Sequence, residues 1–177
     1  MKKTLLLLVL FFPVILSINA QVPADTTNSF QYPSKEALPK PYNPKEDAGK
    51  KLNEIITLAK KENKNVFIQA GGNWCIWCLR FNYFVHNTPE LKSILDKNYV
   101  YYHLNYSPEN KNEKVFKKYT DITKKYGYPF FIILSKDGKV LHIQESGILE
   151  SGKGYDVKKV ELFLNAWTPK PKTSTSN

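Results

Sequence analysis

The chain has 177 residues, 42% of them hydrophobic and 14% aromatic, so it can bury a core in one domain without help from a disulfide. Its formal net charge of +10 comes almost wholly from lysine, because Arg80 is the only arginine. Since nucleic-acid readers rely on arginine for paired hydrogen bonds to bases and phosphates, this composition argues against nucleic acid as a partner.

The first 20 residues have the pattern of a secretory signal peptide. Lys2 and Lys3 form a basic start, residues 5–18 are apolar, and Ala20 is a small residue suited to cleavage before Gln21. An uncleaved anchor is the alternative, but the apolar run is shorter than the ~20 residues that a membrane-spanning helix needs. We therefore predict a mature chain that is periplasmic or secreted, without stable membrane insertion, in an oxidising compartment.

The mature chain is predicted to consist of an arm, one domain and a tail. Residues 21–45 are largely polar and contain five prolines, which is typical of a linker or of an extended arm lying on the domain. Residues 46–168 alternate between helical and strand patterns and form the predicted domain. Residues 169–177 are rich in small and polar residues and are predicted to be a disordered tail.

The first half of the domain predicts helices and one buried strand. The order Asn43-Pro44-Lys45-Glu46 is typical of a helix start, and apolar residues then recur at helical spacing as far as Ala59. Residues 66–70 are an apolar run, predicted to be a buried strand that Gly71-Gly72 ends. A helix is predicted from about Cys75 through Phe84, and another helical stretch follows a cap at Asn87 or Thr88.

The second half predicts a mixture of strands and helices. The elements follow in this order: a strand at 99–105, a charged helix within 107–126, a strand at 130–134, a hairpin turn at 136–139, a strand at 140–144, a loop at 147–154 and a final helix from 157 to 167. The charged helix presents an apolar face formed by Val115, Phe116, Tyr119 and Ile122. This order predicts an α/β fold, with helices on both faces of a central mixed β-sheet.

The only two cysteines, Cys75 and Cys78, are separated by two residues at the predicted start of a helix. Free backbone N–H groups and the helix dipole favour the thiolate form of Cys75 at this position. Cys78 lies one turn further on, close enough to form a disulfide and to resolve a mixed disulfide with a substrate. Such a pair among alternating strands and helices is typical of a thiol–disulfide redox site.

A structural staple and a metal site are the alternatives. A bridge across two intervening residues closes a small loop and removes little entropy from the unfolded chain. A zinc site needs four ligands, and His86, His103 and His142 are not spaced as a ligand pair, so no metal site is predicted. Copper binding by the thiol pair remains open.

Residues 66–80, VFIQAGGNWCIWCLR, resemble the active-site strand and helix of the thioredoxin superfamily, with its W-C-x-x-C motif at residues 74–78. The next stretch is similar to the branch that includes the C-terminal domain of the periplasmic thiol:disulfide interchange reductase. In that branch a polar-Pro-acidic turn, here Asn87-Thr88-Pro89-Glu90, breaks the long active-site helix. The resemblance covers about residues 46–167 and implies a thioredoxin fold.

The resemblance implies roles for the cysteines and their surroundings. Cys75 is the expected catalytic nucleophile and Cys78 the expected resolving thiol. Many members of the superfamily have a buried acid six residues before the first cysteine, where this chain has Gln69. Glutamine keeps the hydrogen bonding of that position but cannot take up a proton. Residues 105–114 are longer than a minimal connection and are either a solvated loop or a specificity element.

Four further residues are expected to bind substrate. The resemblance implies that Pro129 is cis and faces the cysteines, and that Tyr128 offers its backbone to an extended substrate strand. Trp74 is expected to form an apolar rim beside the thiolate. Trp77, between the cysteines, is expected to point outward and to be covered by a substrate or partner, because an exposed tryptophan is costly.

These observations predict an exported thiol–disulfide oxidoreductase that reduces protein disulfides. Ile76 and Trp77 place neither a charge nor a histidine between the cysteines, which favours a reductant over an oxidant. The expected partners are protein disulfides and an upstream thiol electron donor, the chain is expected to be a monomer, and no bound cofactor is expected. A non-catalytic thioredoxin-fold binding module and a copper-handling thiol protein are the alternatives.

Overall fold

The computed structural model describes residues 30–121 and 125–170. The predicted signal peptide, residues 21–29 of the predicted arm, Ile122 and residues 171–177 of the predicted tail lie outside the described residues. Within the two described ranges, no helix combines the length and the hydrophobicity that crossing a bilayer requires.

Five α-helices and six strands make up the described part of the chain. The helices are α1 (Ala48–Glu62), α2 (Ile76–Asn87), α3 (Pro89–Asn98), α4 (Glu113–Tyr119) and α5 (Val157–Ala166). The strands are β1 (Asn65–Gly71), β2 (Tyr99–Asn105), β3 (Phe130–Leu134), β4 (Val140–Glu145), β5 (Glu150–Ser151) and β6 (Gly154–Tyr155). Short 3₁₀ turns occupy Lys35–Ala37 and Ser146–Leu149.

The main sheet has four strands in the order β2-β1-β3-β4. β1 pairs in parallel with β2, so that Gln69 lies opposite His103, and antiparallel with β3, where Gln69 lies opposite Phe131. β3 and β4 form the antiparallel hairpin that residues 136–139 predict. The mixed sheet confirms the predicted α/β fold.

Helices cover both faces of the sheet. On one face, Val66, Ile68 and Ala70 of β1 pack in a buried cluster with side chains of α1 and α4. On the other face, Phe67 packs in a second cluster with side chains of α2, α3 and α5. Because β1 and β3 are buried on both faces, each is largely apolar rather than alternating. The polar exceptions are Asn65, at the start of β1, and Gln69 inside it.

The predicted start of the first helix is wrong by several residues. α1 begins at Ala48, and the Asp47 side chain caps it by accepting hydrogen bonds from the N–H groups of Gly49 and Lys50. The Asn43 side chain instead accepts from the N–H of Lys45, two residues on, within a turn. Two residues that both suit an N-cap compete here, and the local pattern alone does not decide between them.

The connection after β2 is an ordered loop followed by a short helix. The Asn105 side chain donates to the Ser107 hydroxyl and to the Asn110 carbonyl, and the Asn112 side chain donates to the Asn105 carbonyl. Asn112 adopts a left-handed backbone conformation at φ 49°, and α4 starts directly after it. The charged helix predicted within 107–126 is therefore confined, in the described residues, to Glu113–Tyr119.

The predicted loop at 147–154 contains more structure than the sequence pattern indicates. A 3₁₀ turn leads into the two-residue strands β5 and β6, which pair as a small antiparallel hairpin. Tyr155 of β6 packs into the same buried cluster as Phe67 and Phe81. The strands are too short to produce a recognisable alternation of polar and apolar residues.

Candidate active site

The two cysteines lie at the start of α2, shortly after the end of β1. Cys75 is the N-cap residue of α2, and its sulfur accepts a hydrogen bond from the Cys78 N–H at 3.1 Å. The two residues form a disulfide, with a Cα–Cα distance of 5.2 Å. The sulfur of Cys75 thus occupies the place at which a helix N-terminus favours negative charge.

The two sulfurs differ in their access to solvent. Cys75 is 6% exposed, whereas Cys78 is fully enclosed beneath it. Gly71, the last residue of β1, makes room for the inner sulfur, because a Cβ at this position would lie 2.4 Å from the Cys78 Sγ. An attacking group from outside therefore reaches Cys75 and not Cys78.

Three of the four predicted substrate-binding residues form one rim around Cys75. The Tyr128–Pro129 peptide bond is cis, as the resemblance implies, and the Tyr128 carbonyl oxygen is 3.5 Å from the Cys75 Sγ. The Trp74 ring packs edge-on against the Tyr128 ring at 5.6 Å. Trp74 is 52% exposed and is fixed by its indole N–H, which donates to the Tyr106 carbonyl at 2.7 Å.

Trp77 differs from the expectation that it points outward and depends on a substrate or partner for its cover. It is half-buried, its ring packs edge-on against Tyr155 at 5.8 Å, and the Arg80 guanidinium lies 5.6 Å from its ring centre. The small β5–β6 hairpin supplies this cover through Tyr155, whose hydroxyl also donates to the Trp77 carbonyl. Because the sequence gives no sign of that hairpin, it also gives no sign of the contact.

Two open grooves adjoin the rim, and Tyr106 lines both of them. One, of about 630 Å³, is lined by Trp74 together with the ordered loop from Asn105 to Lys111. The other, of about 510 Å³, has an aromatic floor that includes Tyr128 and a border that includes three lysines, Lys111, Lys117 and Lys125. Burial raises the pKa of Tyr128 to about 12, with a smaller contribution from Tyr106, so this ring stays uncharged.

A buried amide forms the back wall of the site. The Gln69 side-chain NH₂ donates to the Cys78 carbonyl at 2.8 Å and to the Tyr42 hydroxyl at 2.7 Å, and the Gln69 carbonyl oxygen accepts from the Tyr101 hydroxyl. Gln69 is completely buried, and all of these hydrogen bonds lie on the α2 side of β1. The hydrogen-bonding role expected for Gln69 is therefore present in the structure.

Tyr42 is a site residue that the sequence interpretation missed. It belongs to the proline-rich arm, is only 3% exposed and packs in one cluster with Cys75 and Cys78. Its backbone N–H donates to the Asn73 side chain, and its carbonyl accepts from the same side chain. No local pattern in the arm signals this placement, which depends on a contact between residues 31 positions apart.

Two histidines lie beyond this wall without reaching the sulfurs. The His103 Nε2 is 2.9 Å from the side-chain Oδ1 of Asn82, and the His86 Nδ1 is 2.8 Å from the backbone carbonyl oxygen of Asn82. Burial, with a smaller contribution from His86, lowers the pKa of His103 to about 3, so its imidazole is neutral at ordinary pH. His103 lies opposite Gln69 in the register of β1 against β2, and this pairing places its imidazole near the site.

Metal binding finds no further support among the described residues. In residues 30–121 and 125–170, no group of three or more histidine, cysteine, aspartate or glutamate side chains comes together around a common point. The cysteine pair is surrounded by aromatic side chains and by the Gln69 amide. Such an arrangement can exchange a disulfide with a partner that approaches from the Cys75 side.

Comparison with known proteins supports the same fold. A family model described as thioredoxin-like matches residues 47–136, which are 90 of the 177 residues. A solved structure described as a disulphide isomerase from Xylella fastidiosa Temecula1 is similar over 73% of this chain and 98% of its own, with a TM-score of 0.63 and 21% identity. Another, described as DsbH oxidoreductase, covers 65% and 80% of the two chains, with a TM-score of 0.47 and 19% identity. The comparison with curated proteins gave no match.

Proposed function

Since this chain belongs to the thioredoxin-like family, we propose that it is an exported thiol–disulfide oxidoreductase that reduces protein disulfides. The observation that carries the proposal is the Cys75–Cys78 disulfide at the N-terminus of α2, with the outer sulfur at the N-cap beside Tyr128 and Pro129. The burial difference between the sulfurs supports distinct roles, since only Cys75 has access to a partner.

The proposed cycle has two exchange steps. In the reduced protein, the Cys75 thiolate attacks one sulfur of a substrate disulfide, forms a mixed disulfide and releases the other substrate sulfur as a thiolate. The Cys78 thiol then loses its proton to water, and the resulting thiolate attacks the Cys75 sulfur. This step closes the Cys75–Cys78 disulfide and releases the second substrate thiolate. The substrate gains two electrons and the protein loses two, which an upstream thiol donor returns by the same chemistry.

The rim supplies a surface for the substrate strand. Trp74 and Tyr128 present aromatic faces beside Cys75, and the buried Pro129 adjoins the carbonyl that lies 3.5 Å from the outer sulfur. Trp77 adds apolar surface on the side of the β5–β6 hairpin. We propose that an extended segment of the substrate lies across these four residues while its disulfide meets Cys75.

Export, direction and partners are parts of the proposal that rest on the sequence. The signal-peptide pattern at residues 1–20 supports a periplasmic or secreted location, where protein disulfides occur. The uncharged pair Ile76 and Trp77 between the cysteines supports a reducing direction. The chain is proposed to act as a monomer on protein disulfides.

The decisive experiment is to trap the mixed disulfide. Reduced Cys78→Ser protein should accumulate substrate adducts on Cys75 that dithiothreitol releases, because the resolving attack is lost. Reduced Cys75→Ser protein, the matched control, should accumulate few. Adducts that form mainly in the Cys75→Ser protein would reverse the roles, and their absence in both variants would favour the non-catalytic binding module.

Turnover is measured separately with wild-type protein. It should accelerate the reduction of insulin by dithiothreitol, whereas a passive thioredoxin-fold module should not. Copper titration of the reduced protein addresses the copper-handling alternative. Stoichiometric, tight binding that depends on both cysteines, combined with no insulin reduction, would replace the proposal.

A further inference from the structure

The orientation of the Gln69 side chain leaves one hydroxyl proton uncommitted beside the inner sulfur. The Cys78 backbone carbonyl can only accept a hydrogen bond, so the Gln69 atom that faces it must be the NH₂ group. The Gln69 carbonyl oxygen then faces the Tyr101 hydroxyl, which must donate to it. The amide is thus held in one orientation by its neighbours.

This orientation assigns a direction to the third hydrogen bond. The second N–H of Gln69 donates to the Tyr42 hydroxyl oxygen, so Tyr42 accepts in that contact and its own O–H proton points elsewhere. Within residues 30–121 and 125–170, no hydrogen bond donated by the Tyr42 hydroxyl is present while the disulfide is closed. A buried hydroxyl with a free proton needs an acceptor nearby.

The inner sulfur is the candidate for this acceptor. A Cβ at Gly71 would lie 2.4 Å from the Cys78 Sγ and 2.9 Å from the Tyr42 hydroxyl oxygen, so these two atoms border the same small space that glycine leaves open. Tyr42 and Cys78 also belong to one packed cluster. A disulfide sulfur is a weak acceptor, whereas a thiolate is a strong one.

We propose that Tyr42 is a positioning residue for the resolving step, whose hydroxyl donates a hydrogen bond to the Cys78 thiolate once the disulfide is open. The inference rests on the proposed function and names the group that stabilises its second nucleophile. When Cys78 loses its proton, the new thiolate gains a charge-assisted hydrogen bond, which favours the ionised form. Tyr42 keeps its own proton throughout, so atoms and electrons in the exchange steps are unchanged.

The groups around Cys78 leave Tyr42 as the hydroxyl placed for this role. Tyr101 and His103 of β2 are committed to Gln69 and Asn82, and Tyr155 of β6 is committed to the Trp77 carbonyl. Tyr128 lies on the Cys75 side, His86 packs against Tyr101, and Arg80 donates to the Lys153 carbonyl.

None of these neighbours is a carboxylate. Burial raises the pKa of Tyr42 well above its usual value, so this hydroxyl remains a donor through neutral pH.

The arm is fastened in a way that serves this placement. The Asn73 side chain makes two hydrogen bonds to the Tyr42 backbone, at 3.1 and 2.8 Å, and Asn73 itself lies two residues before Cys75. The Tyr42 ring also packs edge-on against His103 at 5.1 Å. A tyrosine from outside the sheet is thereby held against the enclosed side of the disulfide.

The test is the titration of Cys78 in the absence of Cys75. In a Cys75→Ser background, the ultraviolet absorbance of the thiolate reports the ionisation of Cys78 directly, whether or not the protein turns over any substrate. Adding Tyr42→Phe should shift the titration midpoint upward by about one pH unit, which lowers the thiolate fraction near neutral pH about tenfold. An unshifted midpoint in a folded protein would overturn the proposal.

A matched control separates this effect from a general loss of packing. Tyr99→Phe also removes a buried tyrosine hydroxyl. Tyr99 is the first residue of β2, and its hydroxyl donates to the Leu164 carbonyl in α5. This substitution should leave the midpoint unchanged. A shift as large as that of Tyr42→Phe would also overturn the proposal. If Tyr42→Phe does not fold, Asn73→Ala should raise the midpoint by a smaller amount, because it removes both hydrogen bonds to the arm, and no change would contradict the tether.

Kinetics distinguishes failure of this inference from failure of the proposed function. Reduced protein with both cysteines, mixed with a chromophoric disulfide, should release two thiols in sequence, one as Cys75 attacks and one as Cys78 resolves. Tyr42→Phe should slow the second release about threefold near neutral pH, because the tenfold lower thiolate fraction is partly offset by the higher nucleophilicity of a thiolate with a higher pKa, and it should leave the first release unchanged. A wild-type protein that releases neither thiol contradicts the proposed function, while equal second rates in the two proteins contradict the role of Tyr42.

Discussion

The sequence predicts the chemistry of Gln69 correctly but only some of its contacts. Its place six residues before Cys75 indicated a buried, non-titrating hydrogen-bonding group, and the structure gives it partners in Tyr42, Tyr101 and the Cys78 carbonyl. The strand register predicts which side of β1 it faces. The arm partner is beyond prediction from sequence, because Tyr42 reaches the site through tertiary packing and not through any local pattern.

His103 predicts a dependence of stability on pH. Its pKa is lowered to about 3 in the folded chain, mainly by burial, against about 6.5 in the unfolded chain. Between these values the unfolded state binds more protons, so the free energy of unfolding should fall as pH is lowered from about 6.5 towards 3. His103→Gln, which can still donate to Asn82, should flatten this part of the profile.

The check is chemical denaturation at several pH values in that window, with His142→Gln as the control for removing an imidazole elsewhere, on β4. The His103 contribution is the difference between the two variants. Parallel profiles for wild-type protein and His103→Gln would show that His103 is not buried in its neutral form.

For α1, the local sequence pattern determines which side chains face inward but not the residue at which the helix begins. Helical spacing predicts Ala48, Leu52, Ile55, Ile56 and Ala59 as inward positions; Ile56 is half-buried and the other four are buried. The starting residue does not follow, since both Asn43 and Asp47 are good caps. The same holds for α4, where hydrogen bonds among Asn105, Ser107, Asn110 and Asn112 delay the helix.

Substitution of the two competing caps should separate them. Asp47→Ala should lower the free energy of unfolding by about 1 kcal/mol, because it leaves the N–H groups of Gly49 and Lys50 without their acceptor. Asn43→Ala, which disturbs only an exposed turn, should cost less. Urea denaturation of both variants measures the order, and a larger loss for Asn43→Ala would place the helix start where the sequence pattern put it.

The end of β1 is predicted to tolerate no side chain. A Cβ at Gly71 would meet the Cys78 sulfur and the Tyr42 hydroxyl oxygen, both closer than 3 Å, so Gly71→Ala should lower the free energy of unfolding by about 1–3 kcal/mol through overpacking. Gly147→Ala is the matched control, since a Cβ there would meet no heavy atom within 4 Å. Thermal denaturation should rank the two clearly, and equal stability would mean that Tyr42 and Cys78 do not share this space.

For the molecule as a whole, the sequence predicts the strands of the main sheet well. It predicts the additions to that sheet, namely the arm and the β5–β6 hairpin, poorly. β2 and β3 coincide with the predicted ranges 99–105 and 130–134, because aromatic and branched runs between polar turns leave little choice of boundary. The β5–β6 hairpin, the cover over Trp77 and the arm residue Tyr42 were missed. The hairpin was missed because each of its strands has only two residues, whereas the cover over Trp77 and the placement of Tyr42 depend on contacts between distant parts of the chain.

The same additions set the surroundings of the active pair. The arm holds Tyr42 on the enclosed side, the β5–β6 hairpin covers Trp77, and the ordered loop after β2 fixes Trp74 through the Tyr106 carbonyl. The outer sulfur faces an aromatic rim, and the two residues between the cysteines carry no charge. The proposed reducing direction rests on this lack of charge, because it leaves the reduced pair without an added stabilising group.

Equilibration of the Cys75–Cys78 pair with glutathione buffers, followed by quantitation of the free thiols, tests this account most directly. We expect a reduction potential near that of thioredoxin, about −270 mV, which suits a reductant of protein disulfides. A value above about −150 mV would make the protein an oxidant, and a value well below about −300 mV would make the pair an inert structural bridge. The first result would contradict the proposed reducing direction, and the second would contradict the dithiol–disulfide cycle itself.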